Sequence, residues 1–75
     1  MRIESVWDLT FLASWEKEDG TIDSQLVTWW SKSKKALETA LGEYRLVEDS
    51  IIECPLIQKR NWDVLLLPLY REIKD

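Results

Sequence analysis

The most reactive groups in this chain are one thiol, Cys54, and two adjacent carboxylate pairs, Glu18-Asp19 and Glu48-Asp49. A nucleophilic thiol needs a base to take its proton. Cys54 stands before Pro55 amid Ile51, Ile52 and Leu56, and the chain has no histidine. Those neighbours predict a buried, inert thiol. General-acid work needs a carboxyl kept neutral by burial or by a neighbouring charge. Both carboxylate pairs fall in turn sequences, where water solvates them. Gly20 and Gly42 are the only glycines, too few and too far apart for a phosphate-cradling loop. The expectation is no catalytic residue and no enzyme.

Metal chemistry fares no better. Asp19-Gly20-Thr21-Ile22-Asp23 matches the middle of an EF-hand calcium loop. The outer ligand positions fail, because Trp15 and Lys17 stand where carboxylates belong and Leu26 replaces the bidentate glutamate. Without histidine, the usual zinc sites lose half their ligands. No metal and no cofactor are expected, and the motif reads as a turn followed by a helix cap.

The third candidate is a binding surface. Trp29-Trp30 is followed by Lys32, Lys34 and Lys35, and Lys59-Arg60 lies further on. Aromatics that stack and cations that grip phosphate would make a weak nucleic-acid site. The competing reading puts both tryptophans on the apolar stripe of a helix and the lysines in solvent.

The elements that would hold these residues decide between the two. From Ile3 to Trp15 the odd positions are mostly apolar and the even ones mostly polar, the period of a half-buried strand. Asp19-Gly20 is a turn. Residues 22–41 fit a helix: Asp23 or Thr21 could cap its start, Gly42 its end, and Ile22, Leu26, Trp29, Trp30, Leu37 and Leu41 share one sector. That favours core packing for the tryptophans. Tyr44–Glu48 and Ile51–Cys54 read as strands, with a helix over 43–57 as the open alternative. Gln58–Asn61 reads as a loop and Trp62–Tyr70 as a last strand. That strand echoes Trp7–Trp15, as two strands in like surroundings would. The predicted fold is α+β: a single domain over residues 1–75, one helix on a three- to four-stranded, mostly antiparallel sheet, ordered β-α-β-β-β. A small helical bundle is the runner-up.

Composition sets the outer bounds. The chain has 75 residues, 45% of them hydrophobic, with five tryptophans and one cysteine. A core this small stabilises marginally, and no intrachain disulfide can help, so dense packing or association must. The N-terminus lacks a signal peptide's apolar run, and Val64–Tyr70 is too short to span a bilayer. A cytoplasmic protein with no membrane contact is expected. Net charge is −4. Residues 1–23 hold six acids (Glu4, Asp8, Glu16, Glu18, Asp19, Asp23) against Arg2 and Lys17.

One layer mismatch points to function. A single helix covers one sheet face, yet apolar residues occur on both faces of several predicted strands. An uncovered apolar face marks an interface. The leading expectation is a small acidic protein-binding module that occludes a partner's surface. Inhibitors, immunity proteins and phage antagonists of bacterial defence, anti-CRISPR proteins among them, act this way; the comparison is by size and charge alone. Glu4, Asp8, Glu16, Glu18 and Asp19 would steer a partner with a basic surface, while Trp62 and Tyr70 would supply the desolvated contact. A homodimeric structural or assembly subunit is the alternative, and a nucleic-acid binder using the helix lysines the second.

Overall fold

The Asp19-Gly20 turn organises the first part of the fold. The computed structural model describes residues 2–74, with every side chain among them except that of Glu48. Lys17 N–H donates to the Thr21 carbonyl at 2.8 Å, and Gly20 N–H to the Lys17 carbonyl at 2.9 Å. Gly20 sits at φ +85°, a conformation glycine adopts without steric cost. A short loop ending in a left-handed residue joins two antiparallel strands. Residues after the turn therefore fold back as a strand. Strands β1 (Ile3–Glu16) and β2 (Ile22–Ser31) pair without a break from Glu16↔Ile22 to Trp7↔Ser31.

This corrects the helix predicted over 22–41. The spacing of Ile22, Leu26, Trp29 and Trp30 mimics a helical stripe because β2 carries apolar residues on both faces. Ile22, Val27, Thr28 and the tryptophans are residue types that strands favour. The helix α1 (Lys34–Glu48) starts later. Ser33 is its N-cap: its Oγ accepts from Ala36 N–H at 3.3 Å. Gly42, expected as the C-terminal cap, lies inside α1 on its exposed side. The helix ends at Asp49, in the left-handed region at φ 47°. Tyr44–Glu48, predicted as a strand, is thus helical.

Strand β3 (Ile51–Asp63) takes in the expected strand at Ile51–Cys54 and continues through Gln58–Asn61, expected as a loop. It pairs antiparallel with β1 from Ile3↔Asp63 to Ser14↔Ile51. The register shifts between Thr10↔Leu56 and Leu12↔Glu53, so Cys54 and Pro55 both oppose Phe11 in a bulge. Cys54 adopts φ 51° there. A bulge is where an edge strand tolerates proline.

The last predicted strand is also corrected. Pairing stops at Asp63, whose Oδ1 accepts from Leu65 N–H at 3.0 Å and starts a 3₁₀ helix, Val64–Leu69. Pro68 lies within that turn. The resemblance of Trp62–Tyr70 to Trp7–Trp15 therefore does not reflect two like strands. The chain finishes in β4 (Arg71–Glu72), parallel to Trp29–Trp30 of β2.

The sheet order is β3-β1-β2-β4. The α+β class, one helix and a four-stranded, mostly antiparallel sheet agree with the expectation; the helix follows the second strand rather than the first. It packs on the odd positions of β1, where Leu9, Phe11, Ala13, Trp29, Leu37 and Leu41 form the main core. Phe11, Trp29 and Tyr44 meet edge to face at 5.2–5.7 Å, a geometry that adds to the burial energy. On the opposite face Val6, Trp30 and Leu67 form a second cluster, flanked by Trp62 and Tyr70. Trp29 and Trp30, 5% and 8% exposed, are both core residues as expected, but on opposite sheet faces.

Candidate docking surface

The even positions of β1 build the face away from α1. The 3₁₀ helix covers one end of it, where Leu67 sits on Val6 and Trp30. Beyond Asp8 the described elements leave it open, apart from Leu69, which lines a shared groove with Leu26 and Thr28. Cross-strand pairing there makes three rows of residues: Leu56, Thr10 and Thr28; Glu53, Leu12 and Leu26; Ile51, Ser14 and Ser24. Ile22 follows beside Glu16. Ile22, Leu26 and Ile51 are 61–64% exposed, and Leu56 is 50% exposed. With Leu12 they offer an apolar patch on the order of 500 Å², at the upper end of what a monomer usually shows. Its polar centre is internally satisfied: the hydroxyls of Ser14 and Ser24 lie 3.2 Å apart, and Ser14 Oγ donates to Glu53 Oε2 at 3.4 Å.

The patch runs into the β1–β2 turn, where Glu16, Glu18, Asp19 and Asp23 are all exposed with Lys17 as the single base. The field at this end is negative. Asp19 is built into the turn. Its Oδ1 accepts from Thr21 N–H at 3.0 Å and Thr21 Oγ1–H at 2.6 Å. These bonds hold its carboxyl below the ordinary value of 3.8. The calcium-like motif is thus an Asx-type turn, and the segment after it is a strand rather than a capped helix. Among the described residues no group of three or more His, Cys, Asp or Glu is placed to hold a metal.

The acidic set expected to act together is divided. Glu4 lies twelve residues from Glu16 along β1, about 40 Å at strand rise. Glu4 pairs with Arg2 at 3.2 Å and sits across from Trp62. Asp8 is 4% exposed, and its Oδ2 accepts from Arg60 Nε at 2.9 Å. Burial raises its carboxyl above 3.8, while the Arg60 charge pulls it back down. Asp8 is therefore out of a partner's reach, with its charge answered inside the chain. The pair Glu48-Asp49 lies partly outside the described residues.

Trp62 and Tyr70 come together, with ring centroids 4.1 Å apart. Both are half-buried against the second cluster. The exposed apolar residues near them are Leu65, Leu66 and Leu69 of the 3₁₀ helix, within the segment expected to be the last strand. Leu26 and Leu56 were missed as surface residues, whereas Leu12 and Ile51 stand in the sequence as apolar residues on a second strand face that one helix cannot cover.

The basic residues are divided as well. Lys34 Nζ sits 5.4 Å from the Trp7 ring centroid and Lys59 pairs across from Trp7, whereas Arg60 is on the other face with Asp8. Cys54, expected to be buried, is an exposed free thiol at the bulge of β3. None of the described helices is long and apolar enough to cross a membrane. Compared with known protein families, curated proteins and solved structures, the chain matches none of them.

Proposed function

We infer that this protein is a non-catalytic binding module that covers a surface on another protein, in the manner of small inhibitors and antagonists. One observation carries the reading: the open half of the second sheet face, with Leu12, Leu26, Ile51 and Leu56, adjoins the acidic turn at Glu16, Glu18 and Asp19. An apolar patch beside a single-sign charge cluster suits a partner with an apolar surface and a basic rim. The turn would raise the encounter rate and the aliphatic residues would supply the desolvated contact. Glu4, Trp62 and Tyr70 contribute through the far end of the same face, where Trp62 and Tyr70 hold the 3₁₀ helix in place.

The test uses affinity capture from host lysate with two baits, the wild-type chain and a Leu26→Asp/Leu56→Asp variant. A protein retained in near-stoichiometric amount by the first and lost by the second supports the reading. Equal retention by both baits, or none by either, contradicts it. With a partner in hand, Glu16→Lys/Glu18→Lys/Asp19→Lys should slow association at low salt by about tenfold or more.

A further inference from the structure

We propose that the partner segment seated on the open half of the second sheet face is an amphipathic α-helix with an aliphatic stripe and lysine or arginine flanks. This rests on the reading of that face as the docking surface and names what fits it. The face offers side chains alone. β1 uses its backbone groups on β2 and β3, in the plane of the sheet, so an occupant lying on the face finds no backbone partner in β1. A segment that buries its main chain against Leu12, Leu26 and Ile51 must satisfy its own N–H and C=O groups, and a helix does so within itself. An extended segment would need a sheet edge instead. β4 already occupies the β2 edge at Trp29 and Trp30, and the β3 edge is broken by the bulge at Pro55.

The dimensions agree with one helix. Leu56 on β3, Leu12 on β1 and Ile22 on β2 run diagonally across the face. At ordinary strand rise and spacing that line is about 22 Å long, the length of about fifteen helical residues. Leu26 and Ile51 stand on either side of it, 64% and 63% exposed, and Leu12 lies half-buried between them. From β3 to β2 the face is about 10 Å across, the width of a single helix. The opposite face of the same sheet already carries one, α1, of 15 residues. The 3₁₀ helix closes one end of the seat, where its Leu69 shares a groove with Leu26 and Thr28. Burying about 500 Å² here against an equal area of helix gives about 1,000 Å² in all, the lower bound for specific recognition.

Charge selects which helix. Glu53 stands in the middle row beside Leu12, and Glu16 beside Ile22. Past them the helix runs out over the turn that bears Glu18 and Asp19. No strand position on this half of the face carries a base. Lys17 stands in the turn, and Arg71, on the β2 edge, holds its guanidinium 5.9 Å from the Trp29 ring centroid, on the α1 side. Arg60 belongs to the covered end, where it pairs with Asp8 at 2.9 Å. Lysine or arginine beside an apolar stripe complements this pattern, and the stems of those side chains extend over the aliphatic rim. A second copy of the chain does not complement it. That copy would bring its own Glu16 and Glu53, with its Arg60 already paired.

The experiment compares three labelled synthetic peptides of about fifteen residues by fluorescence anisotropy at low salt. The first is built of leucine and lysine, with the leucines at helical spacing. The second has the same composition with leucine and lysine alternating, the period of a strand. The third keeps the helical spacing and has glutamate for lysine. The wild-type chain should bind the first at least tenfold tighter than either of the others, and that peptide should gain helical circular dichroism on binding. Leu26→Asp/Leu56→Asp alters exposed positions and should stay folded by circular dichroism. It should lose at least tenfold in affinity although it adds negative charge. Glu16→Gln/Glu53→Gln should weaken binding about threefold and flatten its salt dependence. Equal affinity for the helical and alternating peptides overturns the proposal, as does no binding of the first up to millimolar concentration. Binding that the double aspartate variant leaves unchanged overturns it too. So does a wild-type dimer that the same variant dissociates, which would seat a second copy on the face. A lysate partner lost with that variant, together with no preference for the helical peptide, strikes the helix and keeps the docking face. Preference for the helical peptide with no partner captured strikes the functional reading alone.

Discussion

Asp8 and Asp19 are both carboxylates of the β1–β2 hairpin, and their environments push them in opposite directions. Burial raises Asp8, so the folded chain holds that proton more tightly than the unfolded chain. Ionised Asp8 costs stability above its folded pKa, and the cost is relieved as pH falls through that value toward 3.8. Thr21 lowers Asp19, whose contribution is present above 3.8 and is lost as pH falls through the depressed value. In thermal melts of wild type and Asp8→Asn across pH 7 to 4, the difference in Tm should shift in favour of wild type as pH falls. For Asp19→Asn the advantage of wild type should shrink on further acidification. Gly42 gives a second test at this scale. It is helical, and an added Cβ would meet nothing within 4 Å, so Gly42→Ala should stabilise by about 0.5–1 kcal/mol in urea melts. The role of Gly20 was legible from Asp19-Gly20 alone. That of Gly42 was not, because a glycine after an apparent helical stripe resembles a cap until the true start at Ser33 is known.

Among the elements, β1 was readable because one of its faces is consistently apolar. β2 was not, because both its faces are covered near Trp29 and Trp30 and its apolar residues therefore recur at helical intervals. The length match offered the better signal: a turn of the hairpin type, preceded by a long alternating strand, calls for a second strand of similar length. The 3₁₀ helix was hidden by composition, since Val64–Leu69 has strand-like residues and only Asp63 and Pro68 mark the break. Its hold on the sheet rests on Leu67, 6% exposed. Leu67→Ala should cost about 2–4 kcal/mol and expose Trp62 and Tyr70, read as a red shift in tryptophan emission. Loss of stability with unchanged emission would show that the 3₁₀ helix stays seated without Leu67. Ser33→Ala should cost about 1 kcal/mol through the lost cap.

At the scale of the molecule, the fold is long and thin, 48 × 22 × 17 Å with a radius of gyration of 13.8 Å. A compact chain of this length would be nearer 11 Å. The excess comes from β1, whose fourteen residues run almost the full length. Such a shape encloses little core. Stability should lie in the range of about 4–11 kcal/mol, and Phe11→Ala, at about 3–5 kcal/mol, should remove much or most of it. A chemical-denaturation midpoint little changed by that substitution would relocate the core away from the aromatic triangle. The uncovered face was foreseeable from the surplus of apolar residues over one helix's capacity to bury them. Its location was not, because that depended on the late turn at Asp63.

β1 also sets a schedule. It is the central strand, yet one of its two neighbours, β3, ends at Asp63. On the ribosome β1 is complete long before that partner emerges, and at usual elongation rates the delay is on the order of several seconds. During that interval the β1–β2 hairpin presents both of its edges, with neither β3 nor β4 in place. A nascent chain on a crowded polysome therefore has its best chance of pairing with a neighbouring chain before it has finished being made. Anything that shortens the wait for β3, such as faster codons between Lys34 and Asp63, should raise the yield of correctly folded protein.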